Sequence, residues 1–168
     1  MSKKHIRLSL FGIVLLAALF WVSPYWAMAG MAKAAQAGDA ELLSDYIDLP
    51  RLKESFKGQA MAHMQSEMQK TTTNGWEALG MALGTVMIDK AIDNMLTPET
   101  IAKLLSQQLA NLNVSRATLT ARLIASNNSA WVNDDTFRLT VNEGSFMTWR
   151  RERLTWRLTS VTVPLDKK

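Results

Sequence analysis

The chain begins with a long apolar stretch and then shows two kinds of periodicity. No residue within 8–32 is charged, and the 22 residues 8–29 would form a helix about 33 Å long. That length crosses a hydrocarbon core of about 30 Å. Apolar residues then recur at helical spacing as far as residue 113 and alternate with polar ones further on. The pattern predicts an α+β protein with a helical half at 30–113 and a strand-rich half at 114–168.

Residues that favour helix ends divide the helical half. Asp39, Asp48 and Thr97 carry oxygens that accept hydrogen bonds from the free N–H groups of a helix start, and each precedes an apolar periodic segment. Gly38 is typical of the position after a helix, and Pro98 of a first turn. The predicted helices are 8–29 continued by 32–37, then 40–47, 50–69, 76–96 and 98–109, with a break at 71–75.

The helix at 76–96 is the most hydrophobic segment of the helical half. Eleven uncharged residues separate Glu77 from Asp89, too few to cross a bilayer but enough for a helix buried on most sides. Gly80 and Gly84 would let another element approach closely. We expect a core helix under the sheet, with a membrane-inserting helix as the alternative. The expected core residues are Trp76, Leu79, Leu83, Val86 and Ile92, facing Leu154, Trp156 and Leu158.

Period-two alternation predicts an antiparallel meander in the second half. Residues 137–141 and 154–158 each alternate apolar with polar side chains, and the parity changes at 159–160, which indicates a β-bulge. Residues 116–126 are ambiguous, because their alternation favours a strand whereas Ser115 would cap a helix. We take the strand as the expectation. The remaining predicted elements are turns at 142–144 and 150–153 and a short strand at 130–132.

Two interpretations of the N-terminal stretch are open. Basic residues within 3–7 precede it, and the positive-inside rule then places the N-terminus in the cytoplasm. The Ala-Met-Ala sequence at 27–29 resembles a signal-peptide cleavage site, although two bulky aromatic residues crowd it and the apolar run exceeds a usual signal core. We therefore expect 1–29 to be an uncleaved single-pass anchor that contacts the inner membrane through 8–29. Residues 30–168 are expected to form a periplasmic domain.

Composition and charge exclude several classes of protein. Cysteine is absent, so the chain has no disulfide, zinc–thiolate site or thiol nucleophile. The formal net charge is +4, but Lys3, Lys4 and Arg7 supply most of it, and residues 8–168 hold 16 basic and 15 acidic side chains. A polyanion-binding domain carries its excess positive charge on the folded body. We expect no nucleic-acid partner.

A methionine-rich helix is the first candidate for ligand chemistry. Met64 and Met68 share a helix face, with Met61 and His63 nearby, and thioether and imidazole groups suit a cuprous ion. Methionine also fills irregular gaps in protein cores, which is the interpretation we adopt. The sequence therefore assigns no metal and no cofactor.

Carboxylates and an arginine-rich segment are the other candidates. Asp89 and Asp93 would form a pair for acid–base chemistry or cation binding, or simply the solvated edge of a helix, and Asp48 is a third candidate base. Segment 149–157 interleaves tryptophan with arginine, which suits stacking on bases or contact with anionic lipid headgroups. It also fits a hairpin with buried tryptophans and solvated arginines. We interpret Asp89 and Asp93 as the solvated edge of a helix and segment 149–157 as such a hairpin. We expect no catalytic residue and no enzymatic activity.

The order of several short motifs resembles a known family. The motifs are Ser23-Pro24-Tyr25-Trp26-Ala27, Ala37-Gly38-Asp39, Asp48-Leu49-Pro50-Arg51-Leu52-Lys53, Leu96-Thr97-Pro98-Glu99 and Leu154-Thr155-Trp156-Arg157-Leu158. They are similar to an uncharacterised bacterial domain-of-unknown-function family of small membrane-anchored exported proteins. The resemblance implies an anchor that continues into the domain, and it carries over no activity. In that family a glycine usually precedes the closing Leu-x-Trp, where this chain has Arg153.

Three functional hypotheses follow. The first is a non-catalytic membrane-anchored module that binds a protein or envelope component. The second is a lipid-binding domain with an apolar pocket between helices and a curved sheet, since the element order is also similar to cone-shaped folds of the nuclear-transport-factor-two or cystatin type. The third is an enzyme that uses Asp48, Asp89 or Asp93 as a base, which requires that carboxylate to lie in a cleft with a raised pKa.

Overall fold

The computed structural model describes residues 3–69, 75–109 and 114–164, with the backbone alone described at 3, 4, 6, 8, 67–69, 75–83 and 108. Within these residues the fold is α+β, as predicted, with helices first and an antiparallel sheet second. The helices are α1 (Lys3–Ala37), α2 (Ala40–Ser44), α3 (Leu49–Gln69), α4 (Gly75–Met95), α5 (Pro98–Leu109) and α6 (Arg116–Ala125). The strands are β1 (Ser129–Trp131), β2 (Thr136–Asn142), β3 (Ser145–Glu152) and β4 (Thr155–Thr162).

Helix α1 is exposed over its first half and buried over its second. Phe11 and Leu16 are each 68% exposed, whereas most side chains from Pro24 to Ala35 are buried. Among the described residues, α1 is the one helix long and apolar enough to cross a membrane. It runs without interruption to Gly38, whose φ of +68° suits glycine, as predicted. One element thus joins the apolar segment to the core.

The sheet pairs its strands in chain order, all antiparallel. The register shifts between Thr148 and Trp149 of β3, so that Thr159 of β4 is the extra residue. This confirms the predicted β-bulge.

The connection between α2 and α3 covers the outer edge of β4. The Leu158 N–H donates to the Tyr46 carbonyl at 2.8 Å, and the Asp48 N–H donates to the Leu158 carbonyl at 3.0 Å. Because Tyr46 to Asp48 pair with the sheet, α2 ends at Ser44 and is shorter than predicted. The contact also satisfies an edge that would otherwise be free to pair with another chain.

Aromatic side chains of the sheet pack on α1 at the centre of the core. Trp131 lies edge-on to Phe137 and to Trp156, each at a centroid distance of 5.4 Å. Tyr25 of α1 lies 4.9 Å from Phe137, also edge-on. Phe137 and Trp149 are fully buried. This face of the sheet is therefore covered by α1.

Residues 116–125 form helix α6, so the predicted strand at 116–126 is wrong. The Ser115 hydroxyl accepts from the Thr118 N–H at 3.1 Å and caps the helix, which is the alternative the sequence left open. The Thr120 hydroxyl donates back to the Arg116 carbonyl at 2.9 Å and is buried. Helix α6 packs on α1. Capping and packing on α1 outweigh the β preference of threonine, which is only a weak prior.

Over its described side chains, from Gly84 to Met95, helix α4 is not the predicted core helix. It packs against α3, and Val86 is 53% exposed, so the expected burial of Val86 is wrong; Ile92 is half-buried. The physical reason is that α1 already supplies the apolar surface that covers the sheet, which leaves α4 on the outer side of α3. The side chains of Trp76, Leu79 and Leu83 lie outside the described residues. Of the predicted break at 71–75, residues 71–74 also lie outside them, and Gly75 begins α4.

The hairpin between β3 and β4 turns later than predicted. Glu152 pairs with Thr155, so the loop consists of Arg153 and Leu154. Arg153 has a φ of +57°, in the left-handed region that favours glycine at the first position of such a loop. Leu154 is 95% exposed, so its expected place on the buried face beside Trp156 is wrong.

Candidate functional site

An open groove of about 800 Å³ lies where α1 leaves the domain. It is bounded by α1, the connection between α2 and α3, the start of α6 and the β3–β4 hairpin. Its apolar lining consists of Leu19, Val22, Trp26, Ala27, Leu154 and Trp156. Its polar lining consists of Ser23, Asp45, Tyr46, Arg116, Thr155 and Arg157. Because Leu19 and Val22 belong to the exposed half of α1, the groove is continuous with the candidate membrane span.

Pro24 lies within α1 next to the residue through which strand β4 is hydrogen-bonded to the helix. Proline has no N–H, so the Phe20 carbonyl, four residues earlier, lacks its helical donor. The Ser23 hydroxyl donates to that carbonyl at 2.7 Å, and Trp156 Nε1 donates to Ser23 Oγ at 2.9 Å. These two bonds hold β4 against α1 and give the buried indole N–H a partner.

Arg116 at the start of α6 forms the opposite wall. Its Nη2 and Nε donate to the Trp26 carbonyl at 2.9 and 3.2 Å, and its guanidinium lies 4.6 Å from the centre of the Trp26 ring. Nη2 also lies 3.4 Å from Tyr46 Oη. A Cβ at Gly30 would lie 2.5 Å from both Arg116 Nη2 and Tyr46 Oη. Because Gly30 has no Cβ, the side chains of Arg116 and Tyr46 can pack directly against α1.

Arg157 contributes a second guanidinium to the lining of the groove. Its Nε is buried and has no hydrogen-bond partner. Buried N–H donors without a partner are uncommon in folded proteins, and guanidinium groups bind carboxylates and phosphates through paired N–H bonds. Arg151 on β3 is placed differently, because its guanidinium lies 4.4 Å from the centre of the Phe20 ring. Because Arg157 is a lining residue, the terminal nitrogens of its guanidinium, and not the buried Nε, are the donors available to a group in the groove.

Aromatic side chains surround α1 at the level where it becomes exposed. Trp131 stacks on Phe20 at 5.2 Å with an interplanar angle of 16°, and it lies 5.9 Å from Trp21. Tryptophan is enriched at the interface between a membrane and water. Phe20, Trp21 and Trp131 therefore form an aromatic cluster at the level where α1 becomes exposed.

The candidate metal ligands on α3 do not converge in the described residues. His63 lines a shallow cleft between α3 and the end of β4. Met64 faces α4, where its Sδ would lie 3.4 Å from a Cβ on Gly84. Met61 is half-buried, and the side chain of Met68 lies outside the described residues. The described part of the chain holds no group of three or more His, Cys, Asp or Glu placed for a metal ion.

The three candidate bases make structural contacts. Lys57 Nζ lies 3.1 Å from Asp93 and 3.7 Å from Asp89, which ties α4 to α3. The hydrogen bond from Lys57 holds the pKa of Asp93 below its ordinary value, whereas a base that works near neutral pH needs a raised one. Asp48 accepts from the Arg51 N–H at 3.2 Å and pairs with the Arg51 guanidinium at 3.0 Å.

The arginine- and tryptophan-rich segment 149–157 divides between the core and the groove. Trp149 and Trp156 are buried, so neither offers a free face for stacking on a base. Arg157 lines the groove and Arg151 covers an aromatic ring of α1. The structural interpretation therefore holds for the tryptophans, while Arg157 has a place in the candidate site.

The other side of the groove was missed by sequence reasoning. A strand at 116–126 gives Arg116 no place beside α1, and Gly30 has a role in the sequence only under the alternative of signal-peptide cleavage, as the residue after Ala-Met-Ala. A glycine within a helical pattern often indicates close approach of another element. Gly30 was the available signal for the site.

The structure defines an α+β domain carried on a long apolar helix, with a groove at their junction. The chain belongs to the DUF2939 family of proteins of unknown function, whose family model matches residues 13–104. The matched region begins in the exposed half of α1 and continues through its buried half to α5, so the family includes both parts of this helix. No curated protein and no solved structure matches the chain.

Proposed function

We propose that the protein is a single-pass, non-catalytic membrane protein whose domain lies on the outer face of the cytoplasmic membrane and binds an envelope component in the groove. The observation that carries this proposal is that α1 contributes both the exposed apolar segment and a large part of the core. A membrane that holds the first half of this helix keeps the groove at its surface.

The packing of α1 argues against removal of a signal peptide. Cleavage after residue 29 would detach Pro24, Tyr25, Met28 and Ala29, all of which are buried. It would also break the hydrogen bond of 2.9 Å between the Tyr25 and Ser129 hydroxyls. The aromatic face of the sheet would then lose its cover. The proposed fold therefore requires residues 1–29 to stay attached to the domain in the cell.

The flanking charges support one orientation. Lys3, Lys4 and Arg7 precede the apolar stretch, and cytoplasmic flanks carry such an excess of basic residues. The domain then lies on the periplasmic side, with Trp21 and Trp131 at the outer interface.

The groove favours an amphiphilic ligand over a catalytic role. Leu19, Val22 and Leu154 offer an apolar wall, while Arg116 and Arg157 offer cationic donors, a combination that fits a molecule with an apolar tail and a polar head. The candidate bases Asp48, Asp89 and Asp93 are held in a cap and in ion pairs elsewhere, so the groove supports a binding role better than base catalysis.

Membrane fractionation and intact-mass measurement of the full chain test the anchor. We expect the protein in carbonate-washed membranes with residues 1–29 present, and protease added to spheroplasts should digest the domain. Leu16→Arg places a charge in the exposed half of α1 and should reduce membrane retention, whereas Asp134→Arg, exposed on the domain, should not. A mature chain that begins at residue 30, or a protected domain, would contradict the proposal.

A further inference from the structure

We propose that the groove binds an anionic phospholipid from the leaflet that surrounds the outer end of α1, with its phosphate on Arg157. This inference rests on the proposed function and names the ligand class of the same site. It is supported by the continuity of the groove with the anchor, by the two arginines that line the groove and by its balance of charge.

The apolar wall connects the groove to the lipid phase. Leu19 is 59% and Val22 is 37% exposed on α1, and both line the groove. The fully exposed Leu154, at the tip of the β3–β4 hairpin, lines it as well. Acyl chains beside α1 can follow this wall, because burying their CH₂ groups against leucine keeps them away from water. A lipid therefore enters without leaving the membrane.

The cationic part of the groove fits a phosphate. Arg157 lines the groove, and a phosphate there would accept charge-assisted hydrogen bonds from the terminal nitrogens of its guanidinium, since its Nε is buried. Arg116 uses Nε and Nη2 on the Trp26 carbonyl, so its Nη1 is left for the same headgroup. These bonds hold Arg116 in place, which leaves the Arg157 guanidinium as the main contact for the phosphate.

The charge balance selects an anionic lipid over a zwitterionic one. Two arginines and Asp45 are the charged groups that line the groove, which gives it one excess positive charge. A phosphatidylglycerol headgroup has one negative charge and compensates that excess, while phosphatidylcholine and phosphatidylethanolamine are neutral overall. Each arginine near an anionic headgroup contributes roughly 1 kcal/mol, or about fivefold in affinity.

Native mass spectrometry of the full chain in a neutral detergent tests the proposal. The probes are dioleoyl phosphatidylglycerol, phosphatidylethanolamine and phosphatidylcholine, together with free glycerol 3-phosphate. We expect phosphatidylglycerol to bind tightest and Arg157→Gln to weaken it about fivefold. Arg122→Gln, an exposed arginine of α6, is the matched control and should leave the affinity unchanged. Arg157→Lys keeps the charge and should retain the lipid preference, which covers the case in which the glutamine variant does not fold.

The outcomes separate this inference from the proposed function. If the three lipids bind equally, and Leu154→Ser weakens their binding whereas Arg157→Gln does not, the inferred preference for an anionic headgroup is wrong. The groove would then bind amphiphiles without regard to headgroup charge. Binding of glycerol 3-phosphate as tight as that of the lipid would overturn a membrane source for the ligand. Retention of none of the lipids would contradict both the lipid inference and the proposed binding function, while the anchor is tested separately by fractionation.

Discussion

Trp156 of β4 and Ser23 of α1 are joined by a hydrogen bond of 2.9 Å at the point where α1 becomes exposed. The same serine hydroxyl donates to the Phe20 carbonyl, for which Pro24 has no N–H to offer. Helix and sheet therefore share one hydrogen-bond network beside the groove. This network explains how a proline is accommodated inside a long helix that also packs on a sheet.

Ser23→Ala should lower the free energy of unfolding by about 1–3 kcal/mol, because Phe20 loses a donor and the Trp156 indole loses an acceptor. Thermal unfolding of the full chain in detergent micelles, followed by circular dichroism, measures the change. Ser66→Ala is the control, since among the described residues the Ser66 hydroxyl bonds to the His63 carbonyl of its own helix and to nothing on the sheet. In a double-mutant cycle with Trp156→Phe, the two effects should not add. Simple additivity would show that the bond contributes nothing.

The pairing of α4 with α3 should weaken in acid. The hydrogen bond from Lys57 lowers the pKa of Asp93 in the folded chain, so the pair stabilises the fold above the pKa of the unfolded chain and this contribution is lost as pH falls through the lowered value. The pKa of Asp135 is lowered by the Thr136 hydroxyl and acts in the same direction. Stability should therefore decrease as pH drops below about 4.

Asp93→Asn removes the titrating group and should flatten this acid dependence. Glu54→Gln, which changes an exposed carboxylate of α3, should leave it unaltered. Unfolding midpoints in chemical denaturant, measured for both variants across the acid range, test this difference. An unchanged slope in Asp93→Asn would show that the ion pair does not contribute.

The features that the sequence predicts well are those set by neighbouring residues. Asp39 and Thr97 cap their helices as expected, because a cap requires only a side-chain oxygen next to the first turn. The bulge at Thr159 follows from a change of parity within one strand. Such features depend on a few adjacent positions, and the chain alone contains that information.

The features that depend on distant contacts were predicted less well. Residues 116–126 alternate like a strand, but they pack on α1 as a helix. The apolar α4 was expected to cover the sheet, yet the second half of α1 does so, because one helix can be both a candidate membrane span and a core element. The groove depends on this double role and on Arg116, so its position could not be derived from the periodicity of any single segment.

Gly30→Ala should destabilise the domain although alanine is the better helix former. The new Cβ would lie 2.5 Å from Arg116 Nη2, so the guanidinium must leave the Trp26 carbonyl. Overpacking of this kind costs about 1–3 kcal/mol. Gly58→Ala is the control, because nothing lies within 4 Å of its Cβ, and it should gain up to about 1 kcal/mol. Equal thermal midpoints for the two variants would contradict the close packing of Arg116 against Gly30.

Arg153→Gly should stabilise the β3–β4 hairpin by about 1 kcal/mol, since a non-glycine residue in the left-handed region carries a cost of that size. Arg153→Ala retains the Cβ and serves as the control, so it should give no such gain. A comparable rise in the unfolding midpoint for alanine would assign the effect to the lost charge.

Two truncations should separate the exposed half of α1 from its buried half. A chain that begins at Leu19 keeps every buried residue of α1 and should unfold cooperatively in mild detergent. A chain that begins at Gly30 lacks Tyr25 and Met28, and loss of each buried side chain of this size costs about 2–5 kcal/mol. Their sum is comparable to the whole stability of a small domain, about 5–15 kcal/mol. The shorter chain should therefore show no cooperative transition by near-ultraviolet circular dichroism; a sharp transition in it would establish that the domain folds without the anchor helix.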